Sequence, residues 1–333
     1  MIFGTMMTHE RYMRRCLQLA RLGEYYVAPN PMVGAVLVCG DAIVAEGWHE
    51  AFGGPHAEVN CLRRAEENGI HSFEGCTLYV SLEPCSHYGK TPPCAKLLIE
   101  KRIPRVVVGC LDPNEKVSGR GVKMLQEAGI EVVTGVLREE CRALNKRFIC
   151  LHEQHRPYVI LKWAQTEDGF LDYKRDAAGN GPLVISNAVT KQLVHQMRAE
   201  NMAIMVGTRT ALLDNPRLQT TRWSGRNPIR VLPDRHHAVP RDFRLFSSDS
   251  ETIVYEQDTE WSYILNDLAS RGIHSLLVEG GRVWLETIIE SGVWDEMHIE
   301  VAPLRIGDGV PAPAVQLPLR PQGRIEGHLL YTL

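Results

Sequence analysis

Apolar positions recur at helical spacing over residues 8–23, after which the chain turns to short apolar runs at residues 33–39 and 43–48 that predict strands. A helical stretch over residues 56–68 closes at Gly69, and the run 76–81 predicts the next strand. Pro92 and Pro93 suit a first helical turn, so a helix is expected there, leading into the β-branched strand 105–110. A helix over residues 119–128, stopped by Gly129, and a strand over 130–134 complete the first half. Strands separated by crossover helices imply an α/β domain with a mixed or parallel sheet.

Residues 152–157 are polar and end in proline, which places a boundary between two patterned regions. The expected domains are residues 1–150 and 157–333. The second restarts with a strand over 158–163, then a helix over 187–200 and strands over 202–206 and 229–232. A helix over 261–270, a strand over 274–279 and a helix over 282–290 follow, so this half too reads as α/β. Neither an internal repeat nor a low-complexity tract is visible.

A chain of 333 residues exceeds one comfortable core, and its 44% hydrophobic and 23% charged content is that of a folded protein. The formal net charge of -3 supplies no basic field for a nucleic-acid backbone, which favours small-molecule chemistry. Charged residues from His9 to Arg15 interrupt the amino-terminal region as no signal-peptide core would, and no apolar run is long enough to span a bilayer. A cytoplasmic protein without a membrane partner is expected. All nine cysteines lie between Cys16 and Cys150, whereas five of six tryptophans follow. An odd cysteine count without a secretion signal predicts reduced thiols, with Cys39, Cys76 and Cys110 as packing residues in strands.

The chemistry concentrates in His56, Glu58, Cys85 and Cys94. Catalytic zinc takes three protein ligands and leaves a fourth position to water, whose pKa falls to about 7. One histidine and two thiolates match that count, and a carboxylate outside the ligand set moves protons in zinc deaminases, the role expected of Glu58. Residues two apart on a regular helix point to different sides, so His56 and Glu58 converge only at a helix start, which Pro55 favours. Cys94, behind two prolines, is expected at another helix amino terminus, where the dipole favours a thiolate. A surface histidine and a buried thiol pair would be ordinary separately; their joint occurrence with Glu58 is not. Eight residues separate the cysteines, enough for a loop over the pocket that contacts a substrate larger than a bare base. His87, Lys90 and Thr91 are the candidates.

Asn30 to Gly34, Gly47 to His49, His56 to Glu58, Ser81 to His87 and Gly89 to Cys94 together closely resemble the RibD family of bifunctional riboflavin biosynthesis proteins. Asp112 to Asn114 and Gly119 to Gly121 extend the likeness. It continues through Leu161 to Gly169, Val206 to Thr208, Asp214 to Pro216 and Val278 to Gly281. The resemblance implies a cytidine deaminase-like α/β/α domain followed by a dihydrofolate reductase-like α/β domain. It also implies two consecutive reactions on a phosphorylated pyrimidine. Zn2+-dependent deamination of a diamino-hydroxy-phosphoribosylamino-pyrimidine would come first, then reduction of its ribosyl group to ribityl with NADPH. Asn30 and His49 are then substrate contacts of the deaminase, and a homo-oligomer is expected.

Hydride transfer needs a dinucleotide and an imine or aldehyde carbon held together, and the open form of a ribosylamine is such an imine. No Gly-x-Gly-x-x-Gly follows a strand, but Glu279, Gly280 and Gly281 end a strand and open a helix, the geometry that receives phosphate on backbone N–H groups. The pyrophosphate is therefore expected at Gly280 and Gly281. Ala164, Thr210 and Asp214 match cofactor positions of the family, and Arg235 is a candidate for the extra phosphate of NADPH. Arg198 and Arg222 match positions that hold the substrate phosphate, a task suited to guanidinium. Lys162, Leu218 and Glu279 are the remaining substrate contacts, and Asp168 matches the family's strand end. Where many relatives place a tryptophan before a Ser or Thr near the nicotinamide, this chain has Leu183, Val184, Ile185 and Ser186. Two rivals stand beside this reading: a tRNA or nucleotide deaminase with an appended domain, and a deaminase whose second half is a non-catalytic structural or ligand-sensing module.

Overall fold

The computed structural model describes residues 2–88, 92–114, 117–175, 181–315 and 319–333, so Lys90 and Thr91 lie outside the described residues. The chain divides into two compact units, Met1–Gln154 and His155–Leu333. No helix among the described residues is long and apolar enough to cross a membrane.

The first unit runs α1 (Ile2–Ala20), β1 (Gly34–Cys39), β2 (Ala42–Trp48), α2 (Ala57–Glu67), β3 (Cys76–Leu82), α3 (Cys94–Glu100), β4 (Arg105–Cys110), α4 (Arg120–Glu127), β5 (Glu131–Thr134), α5 (Arg138–Leu144) and α6 (Lys146–Gln154). Its sheet has the order β2-β1-β3-β4-β5, antiparallel at β1 and parallel from β3 to β5. Successive strand residues face opposite sides, and here both sides are apolar. Ala35, Leu37, Leu78, Val80, Val106 and Val108 pack against α2, α3 and α4, while Val36, Val38, Tyr79 and Val107 pack against α1 and α5. That double burial produces the α/β/α sandwich, each fully buried aliphatic side chain contributing about 1.5–3 kcal/mol.

The second unit runs β6 (Tyr158–Thr166), β7 (Phe170–Asp172), α7 (Ala188–Glu200), β8 (Ala203–Met205), α8 (Thr208–Asp214), β9 (Ile229–Pro233), β10 (Thr252–Tyr255), α9 (Trp261–Ser270), β11 (Ser275–Val278), α10 (Arg282–Ser291), β12 (Glu296–Ala302), β13 (Val310–Pro311), β14 (Arg320–Ile325) and β15 (His328–Thr332). Its main sheet has the order β10-β9-β8-β11-β6-β12-β15-β14, parallel from β10 to β12 and antiparallel beyond. Asn187 caps α7 by accepting from the N–H groups of Val189 and Thr190. The carboxyl ends of parallel strands are where open α/β sheets bind ligands.

Several expectations need correction. The first helix begins at Ile2, six residues before its expected start, and α6 continues to Gln154, so half of the polar segment 152–157 is a helix end. The short helices α5, α6 and α8, and strands β7, β10 and β12 to β15, are additional to the elements expected. Cys39 and Cys76, expected as reduced thiols, are joined in a disulfide, because the β1–β3 register sets them directly opposite each other with their Cα atoms 4.1 Å apart.

Candidate functional site

In the first unit, His56 is the N-cap of α2, with extended backbone, and Glu58 stands in the helix's first turn. Because the cap residue has left helical geometry, the two side chains reach one point despite their spacing. Cys85 follows β3 in a loop, and Cys94 opens α3. The Cys94 N–H donates to Cys85 Sγ at 3.2 Å, and the Ala95 N–H to the Cys85 carbonyl at 3.1 Å, which ties the eight-residue excursion closed.

His56 Nδ1 lies 3.6 Å from Cys85 Sγ and 3.3 Å from Cys94 Sγ, and the three donor atoms fall within 4.8 Å of one another. Bond lengths of about 2.0–2.3 Å at tetrahedral angles require N to S edges of about 3.5 Å, so the donor set fits zinc in both type and spacing. The Cys94 thiol donates to Cys85, holding Cys85 well below the usual thiol range, while Cys94 is driven up. Glu58 is 3% exposed, and burial lifts its carboxyl to about 7 against the opposing charge of His56.

Asn30 and His49 stand beside this cluster. His49 Nδ1–H donates to the Pro55 carbonyl at 3.0 Å, which leaves Nε2 to accept from Asn30 Nδ2 at 3.0 Å. Both nitrogens of this buried ring are thereby engaged, and desolvation holds its pKa below the ordinary value. The loop carrying Cys85 is anchored by buried Glu83, which accepts the backbone N–H groups of Asp112, Gly119 and Val122 at 2.9 to 3.1 Å. A Cβ on Gly121 would stand 2.0 Å from the Pro84 carbonyl oxygen, so only glycine admits that approach. His87 is exposed.

In the second unit a cleft of about 900 Å³ opens at the carboxyl ends of β6, β8 and β11. Lys162, Ala164, Arg198, Thr210, Asp214, Glu279, Gly280 and Gly281 all line it. Gly280 and Gly281 have φ of 92° and 77°, a left-handed pair that side chains resist, and a Cβ on Gly281 would come 3.4 Å from Thr210 Oγ1. This backbone stretch, open to the cleft, fits a dinucleotide's phosphates. Lys162 remains partly exposed at the wall although it lies deep, and desolvation depresses its pKa against the fields of Glu279 and Glu300. Arg198 makes a two-pronged ion pair with Glu279 at 2.8 and 2.6 Å and donates to the Gln219 carbonyl at 3.1 Å. Those bonds occupy three of its five N–H groups. A second hollow of about 270 Å³ between α7, β12 and β15 shares Lys162 and Val194 with the cleft.

Leu218, Arg222 and Arg235 are not brought to the cleft wall. Leu218 is buried in the core with φ of 55°, and Arg235 is exposed just beyond β9. Arg222 is exposed, though its backbone N–H reaches Nδ1 of the cleft residue His195 at 3.4 Å. Asp168 instead pins the turn after β6, accepting from Thr166 Oγ1 at 2.6 Å and from Ile306 and Gly307 N–H. Sequence reasoning missed Arg175, a buried cleft residue that pairs with Asp172 and with Asp214 at 2.6 Å. Ser186, already singled out with Leu183 to Ile185, lines the cleft, but its partner Glu300 was missed. The alternation Met297, Ile299, Val301 was a legible strand signal that would have placed Glu300 on the opposite face.

Residues 6–110 match the cytidine and deoxycytidylate deaminase zinc-binding region, and residues 157–326 match the RibD C-terminal domain. The riboflavin biosynthesis protein RibD of Actinobacillus pleuropneumoniae is 38% identical over 90% of this chain and 85% of its own. That of Escherichia coli K12 is 35% identical over 90% of this chain and 89% of its own. Among solved structures, the Thermotoga maritima diaminohydroxyphosphoribosylaminopyrimidine deaminase/5-amino-6-(5-phosphoribosylamino)uracil reductase superposes with a TM-score of 0.87 at 35% identity, covering 98% of this chain and 99% of its own.

Proposed function

The chain belongs to the RibD family, and from that premise we propose how its own residues divide the work. The protein is a bifunctional deaminase and reductase of riboflavin biosynthesis. We assign deamination to residues 1–150 and reduction to residues 157–333. The deaminase substrate is a diamino-hydroxy-phosphoribosylamino-pyrimidine, whose ring amine leaves as ammonia. The reductase substrate is the resulting phosphoribosylamino-uracil, whose sugar is reduced to a ribityl chain.

His56, Cys85 and Cys94 would hold zinc, which when bound supplies Lewis-acid activation of a water molecule. Glu58 carries a proton on its carboxylate to the departing amine, a task suited to a group that burial has brought to about 7. Asn30, oriented by His49, holds a ring oxygen or ribose hydroxyl of the substrate.

In the second unit, NADPH when bound supplies the hydride. The Gly280–Gly281 backbone would receive its pyrophosphate, with Ala164, Thr210 and Asp214 beside it in the cleft. Lys162 and the Arg198–Glu279 pair hold the sugar end of the substrate. The two uncommitted N–H groups of Arg198, with Arg222 at the rim, take its phosphate.

The observation that carries the assignment is the convergence of one imidazole and two sulfurs beside a buried carboxylate. The non-catalytic alternative for the second unit is disfavoured by a cleft that gathers Lys162, Arg198 and Glu279 at its wall. A coupled assay tests both halves, following ammonia release and NADPH consumption from one pyrimidine phosphate with and without a zinc chelator. Ammonia release that stops on chelation, with NADPH-dependent reduction of added deaminated substrate continuing, is the expected outcome. Ammonia release unaffected by loss of all metal overturns the assignment of the first site.

A further inference from the structure

Ser186, Glu300 and His328 come from the approach to α7, from β12 and from β15, and they meet behind the wall of the reductase cleft. Ser186 Oγ–H donates to Glu300 Oε2 at 2.6 Å, and His328 Nδ1–H donates to Glu300 Oε1 at 2.7 Å. Glu300 is 3% exposed and His328 is 7% exposed. Enclosing a carboxylate carries a desolvation penalty of several kcal/mol that hydrogen bonds must offset. Nothing in the packing of β12 demands an acid there, because its other face, Met297 and Ile299, already serves the core.

The consequence falls on Ser186. A serine whose only proton is committed to a carboxylate presents lone pairs, and no donor, to whatever stands before it. Its hydroxyl rotor is also fixed, so the acceptor is oriented before a ligand arrives. Glu300 acts on Lys162 as well, as one of the two negative charges whose fields reach that ammonium. Ser186 thus shares Glu300 with Lys162, and both line the same cleft.

We propose that Glu300 is a positioning residue, held from behind by His328, which turns Ser186 into a fixed hydrogen-bond acceptor for a hydroxyl or amine on the opened sugar chain of the reductase substrate. The inference rests on the reading of this cleft as the reductase site. A purely structural role, in which the three residues only dock α7 onto the sheet, makes different predictions.

The test uses the full-length zinc-loaded protein and the variants Ser186→Ala, Ser186→Thr, Glu300→Gln and their double mutant Ser186→Ala/Glu300→Gln. NADPH affinity, melting temperature, ammonia release, and kcat and KM for the deaminated pyrimidine are measured. Loss of one hydrogen bond predicts that Ser186→Ala raises KM about tenfold with NADPH affinity and melting temperature unchanged. Ser186→Thr, which keeps the hydroxyl, restores the wild-type value. Glu300→Gln shows a loss of similar size, and the double mutant is no worse than either single one, because both act through the same oxygen. Unchanged kinetics in Ser186→Ala overturns the proposal, as does a loss in Glu300→Gln that tracks a fall in melting temperature and NADPH affinity. Should Glu300→Gln fail to fold, Ser186→Ala and Ser186→Thr decide alone. A wild-type protein that releases ammonia but oxidises no NADPH overturns the reductase reading, and this proposal with it.

Discussion

At the scale of single residues, Glu58 shows how position sets chemistry. The same side chain on the outer face of α2 would be an ordinary surface carboxylate; beside His56 and out of water it holds a proton near neutrality. Glu58→Gln keeps the shape and removes the proton carrier, so zinc content is expected to stay at one per chain while ammonia release falls about 10²–10⁴-fold. Zinc loss in that variant, measured by atomic absorption, would make Glu58 a ligand instead. These four residues were legible in the sequence because His56 and Glu58 sit together and the cysteines follow close behind. The pairing of Ser186 with Glu300 was not, since 114 positions separate them and only the fold brings them together. Arg175 was hidden similarly, its cleft partner Asp214 lying 39 residues further on.

At the scale of elements, long amphipathic helices and β-branched strands were readable, and short pieces were not. β4 and α9 coincide with their expected bounds because a run of valines and a full three-turn apolar stripe leave little choice. α8, with seven residues, and β13, with two, have too few positions to show a period; they exist because packing and pairing hold them. Close packing between elements also fixes the deaminase loop. Gly121→Ala drives α4 against the Pro84 carbonyl, a clash worth about 1–3 kcal/mol, and is expected to lower zinc affinity and the melting temperature of the first unit together. Isothermal titration with zinc after chelation checks it, and unaltered affinity would mean that the loop yields without moving Cys85.

A second element-scale prediction concerns acid. Arg230 on β9 is fully buried and donates to the carbonyls of Arg217, Leu245, Ser247 and Ser250 and, at 2.7 Å, to Asp249. Partial burial raises the Asp249 carboxyl, but hydrogen bonds from Ser247, Gln219 and Arg230 outweigh it and hold the group well below the usual carboxylate range. A depressed carboxyl contributes stability that is present above its unfolded value of about 4 and is lost as pH falls towards the folded value. Denaturant unfolding followed by tryptophan emission, which reports chiefly the second unit because five of six tryptophans lie there, is expected to weaken below about pH 4. Asp249→Ala should remove about 1 kcal/mol at neutral pH, solvent screening of the exposed carboxylate included, and flatten that acid slope. A variant with the wild-type slope would assign the acid sensitivity elsewhere.

At the scale of the whole molecule, two units with separate cores carry two chemistries. The sequence already separated them by composition, with thiols in one half and most indoles in the other. Cys85→Ala is expected to abolish metal binding and ammonia release and to lower the stability of the first unit, while NADPH affinity remains within about twofold, the usual additivity error for independent sites. Loss of both activities together would show that the units do not fold independently.

Lys162 and Val194 form a partition between the reductase cleft and the smaller hollow under α7. A synthetic inhibitor seated against Lys162 therefore has a direction of growth out of the larger cleft. Substituents extended that way would meet Gln196, Met197 and Tyr331, side chains that hydride chemistry does not constrain. Selectivity against other nicotinamide-dependent reductases can be built there, without competing for the features they share.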